Sequence, residues 1–525
     1  MTDRLERALK ILPRTYPGPG GAVAVLRDGV VLARHAWGYA NAERRLPFTP
    51  HTLFRMCSIT KQFTCGLVLD AFADPSVLDA EVAARLPRLT EAPPGLLHLC
   101  HNQSGLRDYW AVAMLQGSPV EAPFADREAE RLIRANRTLQ FRPGTRYSYC
   151  NNNFRLLSDI LEDRAGEDFA TLLRRRLFDS VGMETAFLAA DTRAMPDGTE
   201  GYEGSQAGGF RAAENRIRWT GDAGLGASLD DMIAWERFID ANRNDPDSLY
   251  GRLSAPVRFT DGTPATYGFG LGRRQEFGRE VIGHGGALRG WRSHRLHAAA
   301  DRVSVVVMFN HLSDAQAAAL DLLAAVLGVE RTLPDAQLPA PAWFGTYLEP
   351  ETGLSARVEP ATPGRVRLRF GHAAETLDLQ PDGSAGHASP ATPDGTRLRW
   401  SGDALWMERP GENQRSRLVP CTGTAAADIA GCYRCSELDA TLDIAGIDDA
   451  LYGAFAGCFG DGRMELLEPL GPDLWALPCW RALDHTPPGD WTLRVRRSND
   501  GSVEGITLGC WLARGLDYAR VADAS

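Results

Sequence analysis

A serine and a lysine three residues apart are the first side chains of this chain that could do chemistry together. Ser58 and Lys61 lie in the segment Phe54–Phe63. Of the 57 lysines and arginines, only Lys10 and Lys61 are lysines. Arginine stays charged at any useful pH, whereas a buried lysine can lose its proton and act as a base. The retained lysine favours a nucleophile-and-base pair, with a capping serine followed by a solvated lysine as the plainer alternative.

Two later segments offer the other groups that an acyl-transfer site needs, a second proton-transfer group and a second oxyanion donor. Tyr149 and Asn151 place a phenol and an amide two residues apart, just before a predicted helix. His284 and Gly286 follow a predicted strand, where glycine lets a substrate backbone approach closely. Taken singly, these segments also fit a core tyrosine with a capping asparagine, and a glycine turn with an incidental histidine.

The elements around these residues predict one large α+β domain. Ser58 is expected at or near a helix N-terminus, with Lys61 one turn on and on the same face. A hairpin over Gly20–Tyr39 precedes that helix, and Val303–Phe309 is typical of a central strand. Strands at both ends with helices between them indicate an antiparallel sheet, flanked by helices, that the two ends of the domain close.

The composition changes at Arg331, where prolines mark a linker and helical periodicity disappears. Short alternating strands follow, and Phe344–Tyr347 is echoed by Ala430–Tyr433, each copy leading into a strand. This weak repeat predicts two small antiparallel β-barrels. The predicted domains are residues 1–331, 332–420 and 421–525.

Composition narrows the possible partners and location. The net charge of −10 and the pI near 5.7 argue against nucleic acid as a partner. No apolar run is long enough to span a membrane, and the charged N-terminus lacks the pattern of a signal peptide, so a cytoplasmic location is expected. The scattered cysteines and histidines do not form a metal-ligand pattern, and no metal or other cofactor is expected.

In this order and spacing, Ser-x-x-Lys, Tyr-x-Asn and His-x-Gly resemble the motifs of the penicillin-recognising serine hydrolases. The resemblance covers about residues 15–330 and implies a β-lactamase-like fold. It implies that Ser58 is the nucleophile, Lys61 its base and Tyr149 a proton relay. Asn151 would then bind the substrate amide. Tyr147 is a rival to Tyr149, but only Tyr149 keeps the spacing to the asparagine.

The same resemblance assigns the oxyanion hole to the backbone N–H groups of Ser58 and Ala287, beside Gly286. His284 stands where many relatives carry a lysine, which puts recognition of a substrate carboxylate by a permanent cation in doubt. A catalytic domain followed by two barrels looks like the D-aminopeptidases, in which a loop of the last barrel reaches the active site. Cys479–Gly489 fits such a loop, and Asp484 would pair there with the free ammonium of a substrate.

The predicted function is therefore hydrolysis of N-terminal D-amino acids from peptides, amides and esters, through a D-aminoacyl-serine intermediate. The resemblance also implies a homodimer. One alternative is β-lactamase, D,D-carboxypeptidase or esterase activity at the same site. A second is a catalytically silent binding protein that uses its barrels as an interaction surface. Asp484 could also be a solvated residue of a surface hairpin loop.

Overall fold

The computed structural model describes residues 3–330, 341–371, 373–387, 395–448, 450–484 and 488–521. Residues 3–330 form an N-terminal unit built on one eight-stranded antiparallel sheet, in the order β11-β12-β13-β14-β15-β1-β2-β3. The strands of this unit are β1 (Gly20–Arg27), β2 (Val30–Asn41), β3 (Leu46–Pro47), β4 (Phe54–Cys57), β5 (Phe187–Leu188), β6 (Tyr202–Ser205), β7 (Gly209–Ala212), β8 (Leu225–Ala227), β9 (Val257–Arg258), β10 (Pro264–Ala265), β11 (Tyr267–Gly268), β12 (Leu271–Glu276), β13 (Arg279–Leu288), β14 (Trp291–Ala298) and β15 (Val303–Phe309).

Both ends of the N-terminal unit meet in this sheet, as predicted. β1 pairs with β15 from Gly21↔Phe309 to Arg27↔Val303. Every residue of β15 is buried, because one sheet face packs on the helices at the two ends of the unit and the other on its main core. This two-sided burial explains why the strand is apolar almost throughout.

Helices cover both faces of the sheet. α2, which follows Ser58, is buried from Thr60 to Leu69 and has no solvated face. None of the described helices is both long and apolar enough to cross a membrane. The helices are α1 (Asp3–Thr15), α2 (Thr60–Ala71), α3 (Asp79–Ala84), α4 (Leu96–Cys100), α5 (Tyr109–Leu115), α6 (Asp126–Arg134), α7 (Asn151–Ala165), α8 (Phe169–Leu173), α9 (Asp179–Val181), α10 (Leu229–Asn242), α11 (Leu249–Leu253) and α12 (Ala315–Leu327), with a 3₁₀ turn at Pro75–Leu78, a π-helical turn at Arg174–Phe178 and a second 3₁₀ turn at Pro410–Glu412.

The next unit is a closed barrel of eight antiparallel strands, in which the first strand pairs with the last. Its interior is a separate apolar core. The strands are β16 (Gly345–Glu349), β17 (Leu354–Pro360), β18 (Arg365–Arg369), β19 (Ala374–Leu379), β20 (Ala385–Gly386), β21 (Arg397–Ser401), β22 (Ala404–Arg409) and β23 (Gln414–Pro420). The first predicted barrel is thus present, whereas the predicted boundary at Arg331 lies outside the described residues.

The last unit, the C-terminal sheet, is one ten-stranded antiparallel half-barrel instead of a second closed ring. Its core continues into the N-terminal unit, since α5 contributes the buried Ala111 and Leu115. Helix side chains therefore fill part of the core that a closing strand would cover. The strands are β24 (Gly431–Cys435), β25 (Ala440–Ile447), β26 (Ala450–Gly457), β27 (Gly460–Asp461), β28 (Glu465–Leu466), β29 (Glu468–Gly471), β30 (Leu474–Leu477), β31 (Trp491–Arg497), β32 (Val503–Cys510) and β33 (Ala513–Arg520).

The predicted α+β class is confirmed. The boundary predicted at residue 420 falls where β23 ends, and β24 begins at Gly431. The predicted extents of the three domains stay predictions.

Candidate active site

Ser58 lies in the short turn between β4 and α2. The preceding residue, Cys57, has a φ of 51°, a left-handed conformation that costs a non-glycine residue free energy. Thr60 holds the turn, because its hydroxyl donates to the Cys57 carbonyl at 2.5 Å and accepts from the Leu225 amide at 2.8 Å. A strained, doubly anchored turn therefore fixes where Ser58 stands.

Lys61 is fully buried one turn further on, beneath Ser58. Its Nζ lies 3.1 Å from Ser58 Oγ, 2.8 Å from Asn151 Oδ1 and 2.7 Å from the backbone oxygen of Asp222. Of these three partners, only Ser58 carries a proton that it can give to Lys61. A neutral lysine at this place would donate to the two oxygens and turn its lone pair to the serine hydroxyl.

Burial lowers the pKa of Lys61 from 10.5 to about 8, against the opposing pull of Asp222, Asp108 and Asp484. Desolvation disfavours the charged ammonium, so a sizeable fraction of Lys61 is a free amine near neutral pH. This is the range in which a general base is useful. The surroundings of Lys61 thus suit the role of base that the sequence predicted.

Tyr149 and Asn151 meet Lys61 from the start of α7. Lys61 Nζ lies 4.9 Å from the centre of the Tyr149 ring. Burial raises the pKa of Tyr149 well above its usual range, and a side-chain hydrogen bond with Ser58 acts in the opposite direction. The phenol is therefore protonated at working pH. The rival Tyr147 also lines the cavity, and its ring is tilted against that of Tyr267, with ring centres 5.4 Å apart.

His284 lies on β13 as a neutral imidazole. Burial and the Lys61 charge lower its pKa to about 3. Its Nε2 lies 3.1 Å from the Tyr267 hydroxyl, and its Nδ1 2.5 Å from the Gly285 oxygen. The position that holds a lysine in many relatives therefore carries no charge here.

Gly286 lets β13 pass close to the Ser58 turn. A Cβ on this residue would lie 2.1 Å from the Met56 oxygen and 2.3 Å from Ser293 Oγ. Only glycine fits such a contact. The next residue, Ala287, is half-buried in the same strand and lines the cavity with Ser58.

Asp484 reaches this cavity from the loop between β30 and β31. It is only 8% exposed, and its charge acts on both Lys61 and Tyr149. The neighbouring Leu483 is fully buried in the core of the N-terminal unit. Arg481 pairs with two glutamates of that unit, Glu121 at 2.8 Å and Glu203 at 3.1 Å. Residues 485–487 of the predicted loop lie outside the described residues.

The structure brings the predicted site residues together around one cavity of about 650 Å³. A pocket of this size is typical for a small-molecule ligand. Lys61 lies beneath its wall, hydrogen-bonded to Ser58. The predicted residues in the wall itself are Ser58, Tyr149, Asn151, His284, Gly286, Ala287 and Asp484.

Three supporting residues were not predicted from the sequence. Asp108 accepts hydrogen bonds from Asn151, Asp222 offers its backbone oxygen to Lys61, and Tyr267 contacts His284. The glycine-rich segment around Asp222 and the dipeptide Tyr267-Gly268 are visible in the sequence, but the contacts that they make are tertiary. Asp108 carried no signal beyond an N-cap before an apolar run.

Comparison with known proteins identifies the family of this chain. Residues 5–330 match the β-lactamase family, and residues 336–519 match a family described as D-aminopeptidase, domain B. The D-aminopeptidase of Gluconobacter oxydans strain 621H is 61% identical over 524 residues, which cover 99% of each chain. That of Brucella canis is 46% identical over 517 residues, 98% of each chain. The chain belongs to the D-aminopeptidase family.

Solved structures share the fold of this D-aminopeptidase family member. The octameric penicillin-binding protein homologue from Pyrococcus abyssi has a TM-score of 0.53 at 21% identity. The match covers 80% of this chain and all of that one. The D-amino acid amidase from Ochrobactrum anthropi SV3, complexed with L-phenylalanine amide, has a TM-score of 0.51 at 19% identity and covers 62% and 99%. The predicted β-lactamase-like fold is confirmed.

Proposed function

We propose that this protein removes N-terminal D-amino acids from short peptides, amides and esters through an acyl intermediate on Ser58. The observation that carries the proposal is the contact of a buried, easily deprotonated lysine with Ser58, in a chain that belongs to the D-aminopeptidase family. Family membership supports the substrate class, and the geometry supports the chemistry.

Lys61 takes the proton of Ser58 as the hydroxyl attacks the substrate carbonyl. Asn151 Oδ1 and the Asp222 oxygen occupy two donor positions of the amine, so its lone pair faces Ser58. The bond from Ser58 Oγ to the carbonyl carbon forms while the proton moves to Lys61 Nζ. A base that already faces its nucleophile needs no reorganisation in the transition state.

Tyr149 returns that proton to the leaving amine. Its ring lies against Lys61 and lines the cavity, and its raised pKa keeps the phenol protonated, so that it can donate. The phenol gives its proton to the leaving amine and is reprotonated by the proton that Lys61 took from Ser58. Asn151 lines the same wall and contacts the substrate amide. Collapse of the tetrahedral intermediate breaks the carbon–nitrogen bond and leaves a D-aminoacyl ester on Ser58, which water then hydrolyses.

The carbonyl oxygen develops negative charge during attack and needs two N–H donors. We assign these to the backbone of Ser58 and Ala287. Gly286 supports this assignment, because its missing side chain allows β13 to approach the β4 turn at Met56. A neutral His284 completes the wall without adding a charge.

Asp484 binds the free ammonium of the substrate. A buried carboxylate that lines the same cavity as the nucleophile stabilises a cation strongly, because the local dielectric constant is low. Nitrocefin or a simple ester has no ammonium for Asp484 to pair with. This acid therefore favours an aminopeptidase over the other activities that the same catalytic groups could support.

Replacing Ser58 by alanine tests the proposal directly. Ser58→Ala should abolish turnover of D-alanine p-nitroanilide while leaving the thermal unfolding temperature close to wild type. Wild-type rates with that amide, its L-isomer, nitrocefin and a short-chain ester separate the D-aminopeptidase from a β-lactamase or an esterase. Equal rates for the D- and L-alanine amides would contradict the proposed stereospecificity.

The homodimer and the cytoplasmic location stay predictions. Light scattering of the purified protein would measure its mass against 57.2 kDa for one chain. Cell fractionation would test the compartment.

A further inference from the structure

Asp108 lies behind the active site, on the far side of Asn151 from Lys61. It is fully buried at the start of α5. Its Oδ1 accepts from the backbone N–H of Trp110 at 2.9 Å. Its Oδ2 accepts from Asn151 twice, from the backbone N–H at 2.6 Å and from Nδ2 at 2.9 Å. The catalytic steps described above do not use this carboxylate.

The contact decides which side of the Asn151 amide faces Lys61. The oxygen and nitrogen ends of a primary amide have almost the same shape, so packing alone does not choose between them. An ionised carboxylate can only accept hydrogen bonds, and it therefore draws Nδ2 of Asn151 to Asp108. If the Asn151 amide turned over, its oxygen would face the Asp108 carboxylate. Two buried acceptors would then lie together with no hydrogen between them, which costs folding free energy.

With Nδ2 held by Asp108, Asn151 Oδ1 must point at Lys61. The Lys61 amine then meets two oxygens that cannot donate, and its lone pair is left for Ser58. We propose that Asp108 is a positioning residue that sets the direction of the Lys61 base by fixing the Asn151 amide. The inference rests on the proposed role of Lys61 as the base.

The C-terminal sheet takes part in this arrangement. The N–H of Asp108 donates to the oxygen of Leu512 at 3.0 Å, in the turn between β32 and β33. The neighbouring Arg107 donates to the oxygen of Arg514 at 2.9 Å and pairs with Glu437 at 3.0 Å. The segment that orients the base is thus hydrogen-bonded to a unit some 400 residues away in sequence.

Asp108→Asn is the first test. An asparagine at 108 can donate to Asn151 Oδ1 and turn that amide, so kcat for D-alanine p-nitroanilide should fall about 10- to 100-fold. KM should change less, through the contact of Asn151 with the substrate amide. The matched control is Asp231→Asn. Asp231 is also buried and accepts from a backbone N–H, at the start of α10. The Asp231→Asn variant should lose stability and keep the wild-type kcat. A wild-type kcat in Asp108→Asn would overturn the inference.

The second test is a double variant, Asp108→Asn together with Asn151→Asp, which exchanges the two side chains. A carboxylate at 151 presents an oxygen to Lys61 in either orientation, so kcat should recover above that of Asp108→Asn. Recovery should need a higher pH, because a carboxylate beside Lys61 raises its pKa. The titratable and charged groups around this pair and Lys61 are Cys57, Tyr109, Tyr149, Cys150, Asp222, His284 and Asp484.

Absence of recovery at every pH overturns the inference. If Asp108→Asn does not fold, the exchanged pair decides alone, because it keeps one carboxylate and one amide in contact. In that case the rate at which p-nitrophenyl acetate acylates Ser58 is the measurement, because this ester has no amide group for Asn151 to bind. Fast acylation at raised pH supports the inference, and its loss contradicts it.

A third measurement separates this inference from the proposed function. The rate at which p-nitrophenyl acetate acylates Ser58 depends on the base but not on a D-residue. If the wild-type protein is acylated yet does not turn over D-alanine p-nitroanilide, the proposed substrate is wrong. The positioning role is still judged then: slower acylation of Asp108→Asn supports it, and an unchanged rate overturns it.

Discussion

One side of the cavity, the Ser58 wall, is formed by Ser58, Tyr149 and Asn151, and another, the Asp484 wall, by Asp484. The two walls are held by different kinds of contact. Behind Ser58, Lys61 is fixed by hydrogen bonds to Asn151 and Asp222, all within the N-terminal unit. Asp484 is instead carried on a loop of the C-terminal sheet. That loop is anchored by the buried Leu483 and by the partly exposed Arg481 ion pairs.

The difference separates chemistry from specificity. A proton-transfer site needs fixed directions, which a buried hydrogen-bond network supplies. A charge that recognises an ammonium needs only the right place and a low local dielectric constant. The Asp484 wall can therefore be supplied by a loop from another unit, provided that contacts with the N-terminal unit hold the loop in place.

The largest effect is expected at the Ser58 wall, from Lys61→Arg. Arginine keeps the positive charge but cannot give up its proton, so kcat should fall by about 10²- to 10⁴-fold. Lys10→Arg, which changes the other lysine of the chain at an exposed position of α1, is the matched control and should keep the wild-type rate. Steady-state kinetics with D-alanine p-nitroanilide would measure both. Retention of wild-type turnover by Lys61→Arg would remove Lys61 as the base.

Asp484→Asn should break the other wall. Without the carboxylate, KM for D-alanine p-nitroanilide should rise about 10- to 100-fold, because the substrate ammonium loses its partner. Acylation by p-nitrophenyl acetate, which has no amine, should be unchanged. Asp473→Asn in the same sheet, where Asp473 pairs with Arg497, serves as the control. Equal losses on both substrates would assign Asp484 to the fold instead of to specificity.

The reaction at the Ser58 wall should also depend on pH. Lys61 must be neutral to act, and its pKa is about 8. The acylation rate should therefore rise about tenfold per pH unit below that value and level off above it. The folded-state pKa lies below the ordinary 10.5, so the folded protein binds fewer protons between the two values, and stability should rise with pH across that window. A stopped-flow profile that is flat from pH 6 to pH 9 would contradict this assignment.

The smallest effect is expected from Arg481→Ala, which weakens the anchor of the Asp484 loop. Arg481 and Glu121 are both about 40% exposed, so the lost ion pairs should cost at most about 1 kcal/mol of folding free energy. We expect a KM increase of a few-fold with kcat unchanged, measured beside a thermal melt. A loss as large as that of Asp484→Asn would mean that Arg481 itself contacts the substrate.

Much of the Ser58 wall was predictable from the sequence. The short spacing of Ser58 and Lys61 fixes them on one helical turn, and the Tyr149 and Asn151 pair is likewise a local pattern. The meeting of the two ends of the N-terminal unit in one sheet was predictable from the apolar segments that form β1 and β15. A second small antiparallel barrel was predicted from a weak repeat. The structure has a half-barrel sheet there, and Ala111 and Leu115 of α5 fill part of its core.

The sequence by itself determined which groups are available for the chemistry. A serine and a rare lysine three residues apart, and a glycine two residues after His284, are visible without a structure. The sequence did not determine how those groups are directed. The orientation of the Asn151 amide by Asp108, the depression of the Lys61 pKa and the neutrality of His284 come from burial and from contacts between distant segments. Such effects depend on desolvation and on three-dimensional distance, which no local pattern encodes.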